Sequence, residues 1–239
     1  MVLIRSLVFN VLFYGMTVVM VVVGLPLLLL PQRVVMVYAN IWARGLRLLL
    51  RIVGISHRIS GPMPEGQVIY AAKHQSAWET VILYHEFGNP APVLTRELVY
   101  IPVMGFYFLR MPSVPIDRSA GSKALRMLMV DARQIVDDGH SIMIFPQGTR
   151  VAPGATHPYH GGTFAVYKAT GLPVVPVALN SGLYWSRAAF FKRPGVIDVK
   201  LGEPIPPGLD RRTFMARLEN EIENAALALP GMAAAKKTG

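Results

Sequence analysis

The chain has 239 residues, enough for one well-buried domain. With 52% hydrophobic and only 16% charged residues and a mean hydropathy of +0.39, it is too apolar for disorder and high for an ordinary soluble protein, so part of it meets lipid. The absence of cysteine excludes disulfide frameworks, thiolate zinc sites and cysteine nucleophiles, and the net charge of +10 is unevenly placed, since the first sixty residues hold six Arg and no acid, leaving 18 basic against 14 acidic residues beyond.

From Ser6 to Leu30 no residue is charged, and the run from Leu7 to Leu30 would extend about 36 Å as a helix, enough to reach across a hydrocarbon core of roughly 30 Å. A signal peptide is the competing reading, but the apolar region exceeds the usual length and no small-x-small cleavage site follows. Gly24 and Pro26 near its end allow a bent or re-entrant segment beside a straight span. After Pro31, Arg44, Arg47 and Arg51 are spaced three and four apart and share one helical face, with Ile41, Trp42, Leu46, Leu49 and Val53 on the others. That pattern suits a helix lying at a bilayer surface, and also an amphipathic helix packed on a domain. Arg33, Arg44, Arg47 and Arg51 follow the apolar run and only Arg5 precedes it, a bias that places the remainder in the cytoplasm.

From His57 onward short apolar runs alternate with amphipathic stretches, which argues for an α/β domain. The pattern predicts strands at Gln67–Ala72, Pro92–Thr95, Ser113–Ile116, His140–Phe145, Val174–Leu179 and Ile197–Leu201. It predicts helices at Trp78–Phe87, Val103–Arg110, Ser122–Asp137, Thr163–Thr170 and Arg211–Leu229. Gly139 and Gly171 fall where helix C-termini need a positive φ. The chain then divides into membrane-associating helices over 1–56, a globular domain over 57–230 and a flexible basic tail over 231–239.

Four blocks carry chemistry. In AAKHQSAWET, His74 follows a strand and Glu79 stands five positions later in the next helix, so the carboxylate can hold one ring nitrogen while the other accepts a proton. In SVPIDRSA, Arg118 follows a predicted strand, with Arg96 upstream in LTRELVYIPVMG. In IMIFPQGTR, a buried strand opens into Gln147, Gly148, Thr149 and Arg150, where a Gly-bearing turn and a guanidinium fork suit an oxyanion. LPVVPVALNSG reads as a scaffold strand. No cluster has metal-ligand spacing, so no metal site is expected. His57, His85, His140, His157 and His160 receive no chemical role, and Arg187, Lys192 and Arg193 are either a solvated face or a means of steering an acidic donor.

In this order and spacing the blocks resemble the glycerolipid acyltransferase family, most closely the bacterial 1-acylglycerol-3-phosphate O-acyltransferases, over about Ile69 to Leu201. The resemblance implies a mixed sheet flanked by helices, preceded here by a membrane helix and an amphipathic helix. It implies His74 as general base with Glu79 as its acidic partner, and Arg96, Arg118, Gln147, Gly148, Thr149 and Arg150 as substrate-binding residues. It also implies a lysophosphatidate acceptor, and an acyl-CoA or acyl-carrier-protein thioester as co-substrate with no further cofactor. The setting is membrane lipid, in a bacterial inner membrane, on the cytoplasmic side. Two departures stand out: the family usually has Asp where this chain has Glu79, and Glu where it has Gln147. The second keeps other lysolipid acceptors open, whether lipids with an amino-acid headgroup or lysophospholipids in remodelling, beside a non-catalytic lipid-binding protein. Nucleic acid is not expected as a partner despite the pI near 10.1, because the charge sits beside an apolar run and no recognition motif is present.

Overall fold

A computed structural model describes residues 1–117 and 121–238. Arg118, one of the expected substrate-binding residues, lies outside the described residues. Seven strands form one sheet: β1 (Ile55–Ser60), β2 (Ile69–Ala72), β3 (Ala91–Thr95), β4 (Val114–Ile116), β5 (Ile142–Ile144), β6 (Val174–Leu179) and β7 (Gly195–Leu201). Their order is β1-β7-β6-β2-β5-β3-β4, and every pairing is parallel except β6 with β7, which gives the mixed sheet the family resemblance implies. The central β2 and β6 are buried along their whole length, as expected of parallel strands covered on both faces.

The helices are α1 (Val2–Val23), α2 (Gln32–Ile52), α3 (Trp78–Glu86), α4 (Met104–Arg110), α5 (Gly121–Asp137), α6 (Gly162–Thr170), α7 (Arg211–Leu227) and α8 (Met232–Thr238). Side-chain alternation sorts them into two layers. Tyr70, Ala72, Val175 and Val177 point to a core shared with Phe9, Leu46, Leu50, Trp78 and Ile82 of α1–α3. Ile69, Ala71, Ile142 and Val174 point to a second core with Leu128, Val166, Phe214 and Leu218 of α5–α7. Each face of the sheet is thus sealed by three helices.

Several expectations change. Ile55–Ser60, unassigned in the sequence reading, is an edge strand paired along its length with β7. The tail expected from residue 231 is instead helical over Met232–Thr238, with Met232 only 1% exposed against Ala226 and Ala178. Lys192, considered above as a solvated or steering charge, is buried between the rings of Phe9 and Trp185, its Nζ 5.6 and 5.1 Å from their centroids. Its ammonium donates to Asn10 Oδ1 and to the carbonyls of Ala189 and Phe190, and burial pulls its pKa down to about 8.

The first helix does not stand apart from the domain. Phe9 is fully buried and meets Trp185 edge-on at 5.4 Å, while the Ser6 hydroxyl accepts from Lys192 N–H at 2.9 Å. At the far end Tyr107 Oη donates to Val21 O at 2.8 Å and Tyr38 Oη to Met20 O at 2.8 Å. These ties lie about 22 Å apart along the helix axis. A side chain on Gly24 would overlap the rings of Tyr38 and Tyr107, so only glycine lets the three segments meet there. The opposite face of α1 is open, with Leu7, Val11, Val18 and Val22 all more than half exposed. α2 shows the same division, burying Val35, Ala43, Leu46 and Leu50 while leaving Arg44, Arg47 and Arg51 outside. Of these, Arg47 reaches Glu86 of α3 at 3.1 Å.

The packing predicts opposite outcomes for neighbouring positions on α1. Phe9→Ala should lower stability in detergent by about 3–5 kcal/mol, because it empties part of a sealed core. Leu7→Ala, on the open face, should stay within about 0.5 kcal/mol. Chemical unfolding followed by near-ultraviolet circular dichroism checks both, and equal values would mean that α1 is detached.

Candidate active site

The expected catalytic pair assembles where the parallel strands end. β2, β5 and β6 run in one direction, so the segments after their C-termini converge at one edge of the sheet, the place where open α/β sheets hold ligands. His74 follows β2, and its Nδ1 lies 2.9 Å from Glu79 Oε1. Glu79 stands in the first turn of α3 and is fully buried. The same Oε1 accepts from the N–H groups of Gln75 and Ser76, both at 2.6 Å, and Oε2 accepts from the Ser181 hydroxyl at 2.8 Å. Glu79 therefore closes the loop between β2 and α3 while it orients the imidazole.

An ionised carboxylate only accepts, so Nδ1 is the donor of this bond, and in the neutral ring the lone pair is then on Nε2. The ring is further fixed by stacking on Phe145, with centroids 4.2 Å apart and planes 23° off parallel. The His74 carbonyl accepts from Val151 N–H at 2.8 Å, which ties the loop after β5 to the strand end. Next to it, Lys73 is 1% exposed, and its Nζ donates to both carboxylate oxygens of Glu223 on α7 at 2.6 Å. Tyr159 Oη donates to the same Glu223 at 3.0 Å. This ion pair anchors the backbone immediately before His74 to the helical layer on the other side of the sheet.

His74 lines a cavity of about 1240 Å³ whose walls are mostly apolar. α1 supplies Thr17 and Met20, α2 supplies Tyr38 and Trp42, and α4 supplies Tyr107 and Phe108. Gly148, Thr149 and Arg150, in the turn after β5, line the same cavity. Gly148 adopts φ +64°, and its N–H donates to Phe145 O at 2.9 Å, so that donor is spent inside the turn.

Two expected residues are placed otherwise. Gln147 is fully buried behind the turn rather than on the cavity wall, and its Oε1 accepts from the His74 N–H at 3.3 Å. Arg96 is exposed at the start of a 3₁₀ turn, Arg96–Tyr100, and does not line the cavity, although Thr95 and Leu98 do. Ser181 was missed by the sequence reading, which took the strand ending in Leu179 as scaffold. It lies 102 residues from the carboxylate it serves, and no local spacing signals that contact.

Residues 53–180, more than half of the chain, match the family model described as Acyltransferase. A 1-acyl-sn-glycerol-3-phosphate acyltransferase of Pseudomonas aeruginosa is 37% identical over 164 residues, covering 67% of this chain and 64% of the relative. A protein of the same description from Cocos nucifera is 30% identical over 162 residues, covering 66% of this chain and 53% of the relative. The matched stretch thus spans less than two thirds of the length of each relative. The crystal structure of the 1-acyl-sn-glycerophosphate acyltransferase PlsC from Thermotoga maritima superposes with a TM-score of 0.78 at 20% identity, covering 97% of this chain and 98% of that one, which shows a shared fold. With the His74–Glu79 pair inside the matched stretch, the chain belongs to the acyltransferase family.

Proposed function

We propose that the protein transfers an acyl chain from a thioester, carried on coenzyme A or acyl-carrier protein, to the sn-2 hydroxyl of 1-acylglycerol-3-phosphate, yielding phosphatidate. The observation that carries this reading is a histidine held by a buried carboxylate at 2.9 Å on the wall of a large apolar cavity that also bears Arg150. His74 Nε2 takes the proton of the acceptor hydroxyl as its oxygen attacks the thioester carbonyl. The C–S bond then breaks, the imidazolium returns the proton to the departing sulfur, and free thiol leaves. No covalent enzyme intermediate is required. Glu79 stabilises the imidazolium, and Ser181 with the Gln75 and Ser76 amides holds Glu79 in place.

Arg150 is assigned to the acceptor phosphate because a guanidinium fork matches phosphate oxygens. Arg118 and Arg96 join it on family resemblance. The acceptors with other headgroups rested on the neutral charge of Gln147, and that support falls away once Gln147 is seen to bond the His74 backbone and not to line the cavity.

The setting is a bilayer surface. α1 is long and apolar enough to cross a membrane, yet both of its halves are fastened to the domain. A perpendicular crossing would drag the loop around Lys192 into the hydrocarbon. α1 is therefore assigned to one leaflet, lying along the surface with its open face in lipid. The Arg distribution favours the cytoplasmic side of a bacterial inner membrane.

Purified protein assayed with labelled acyl thioester and a panel of lysolipid acceptors tests the reading directly. His74→Ala should reduce transfer by about 10²–10⁴-fold without loss of fold. Glu79→Gln should be severely impaired, since an amide neither stabilises an imidazolium nor accepts at both positions. Wild-type activity in either variant refutes the pair. Arg150→Lys should raise the acceptor KM about tenfold or more and leave the donor KM near its original value. Equal damage to phosphate-bearing and phosphate-free acceptors would make Arg150 a structural residue of the turn.

A further inference from the structure

α4 is a short helix with two apolar faces. Met104, Tyr107, Phe108 and Met111 recur at helical spacing and line the cavity. Phe106 and Leu109, three apart on the opposite face, are 58% and 65% exposed and do not line it. Just upstream, Tyr100 is 70% and Ile101 44% exposed. A helix apolar all round is stable only where both sides are apolar, and here one side is the cavity while the other has no protein cover.

The backbone that presents these side chains is tightly built. Val103, a β-branched residue, sits at φ +65°, a conformation costing of order 1–3 kcal/mol that survives only where neighbours enforce it. At Gly105 a Cβ would collide with the carbonyl of Val99. The segment is also fixed to the N-terminal helices: Tyr107 donates to Val21 O, and Arg110 Nη2 donates to Leu30 O at 2.6 Å. Leu29 beside that carbonyl is 88% exposed. α4 is thereby fastened beside the exposed Leu29 that follows α1, and Arg96 and Arg110 flank its exposed face with Glu97 as the one acid between them. That charge pattern suits anionic headgroups around an apolar insertion.

We propose that the Tyr100–Leu109 segment is a second bilayer-inserting surface, a lip whose outer face enters the lipid while its inner face walls the active-site cavity, so that acyl chains pass from membrane to His74 beside α4. The inference rests on the surface placement of α1 given above, and the experiment separates the two. Because the chain lacks cysteine, Phe106→Cys and Leu109→Cys can each carry a single environment-sensitive fluorophore, alongside Val18→Cys on α1 and Lys200→Cys on β7 as internal references. With vesicles containing anionic phospholipid and spin-labelled acyl chains, probes at 106, 109 and 18 should shift to the blue and be quenched, and the probe at 200 should not. Quenching at 18 with none at 106 or 109 overturns the lip alone. Absence of quenching at 18 overturns the placement of α1 as well. A blue shift at 106 that grows with protein concentration and needs no lipid would assign the face to a second copy of the chain and overturn the proposal. The double variant Phe106→Ser/Leu109→Ser should bind the same vesicles about tenfold or more weakly, and lose activity on bilayer acceptor while retaining it within about twofold on detergent-dispersed acceptor. Equal loss on both acceptors would make α4 a purely structural element and refute the lip.

Discussion

A carboxylate cut off from water must find its hydrogen-bond donors within the protein, and the fully buried Glu79 finds four. Leaving such a group unpaired would cost several kcal/mol, so each donor is a condition on the fold. The imidazole comes from the end of β2, two amides from the turn into α3, and a hydroxyl from the end of β6. Pairing of β2 with β6 in register, Ala72 opposite Val177, brings the last of these within reach. The parallel strands thus do more than frame the site. A slip of one residue would turn Ser181 away and leave a buried charge short of a partner.

The same economy appears in the cavity, whose walls come from both the sheet's own loops and the N-terminal helices. α1 and α2 share a core with the central strands, so the N-terminal helices and the sheet have no seam between them near residue 56. Under the proposed reaction, a histidine acting on two water-insoluble chains is served by such an arrangement. The open apolar face of α1 and part of the apolar cavity wall belong to the same helix.

Much of this was legible in the sequence, and what was not has identifiable causes. Strands rich in Val and Ile and helices ending at Gly139 and Gly171 carried local signals, and both glycines adopt the positive φ expected of them. β1 was missed because Ile55–Ser60 mixes His57 and Arg58 with apolar residues and gains its identity from β7, more than a hundred residues away. Lys192 read as a surface charge because only the folded chain brings Phe9 and Trp185 around it. The His74–Glu79 pair could be seen because its members are neighbours in sequence. Ser181, which completes their environment, could not.

The bond between Ser6 and Lys192 joins residues 186 apart, and Phe9 waits for Trp185 in the same way. Contacts of such separation form late, since the loop they close carries a large entropic cost before any packing repays it. The half of α1 around Met20 has a partner close by in Tyr38 of α2, eighteen residues on, whereas the half around Phe9 depends on the far end of the domain. The apolar surface around Phe9 therefore gains its protein cover only once the segment around Trp185 has formed. Assembly along α1 is in that sense a zipper, closed from its C-terminal half toward its N-terminal one.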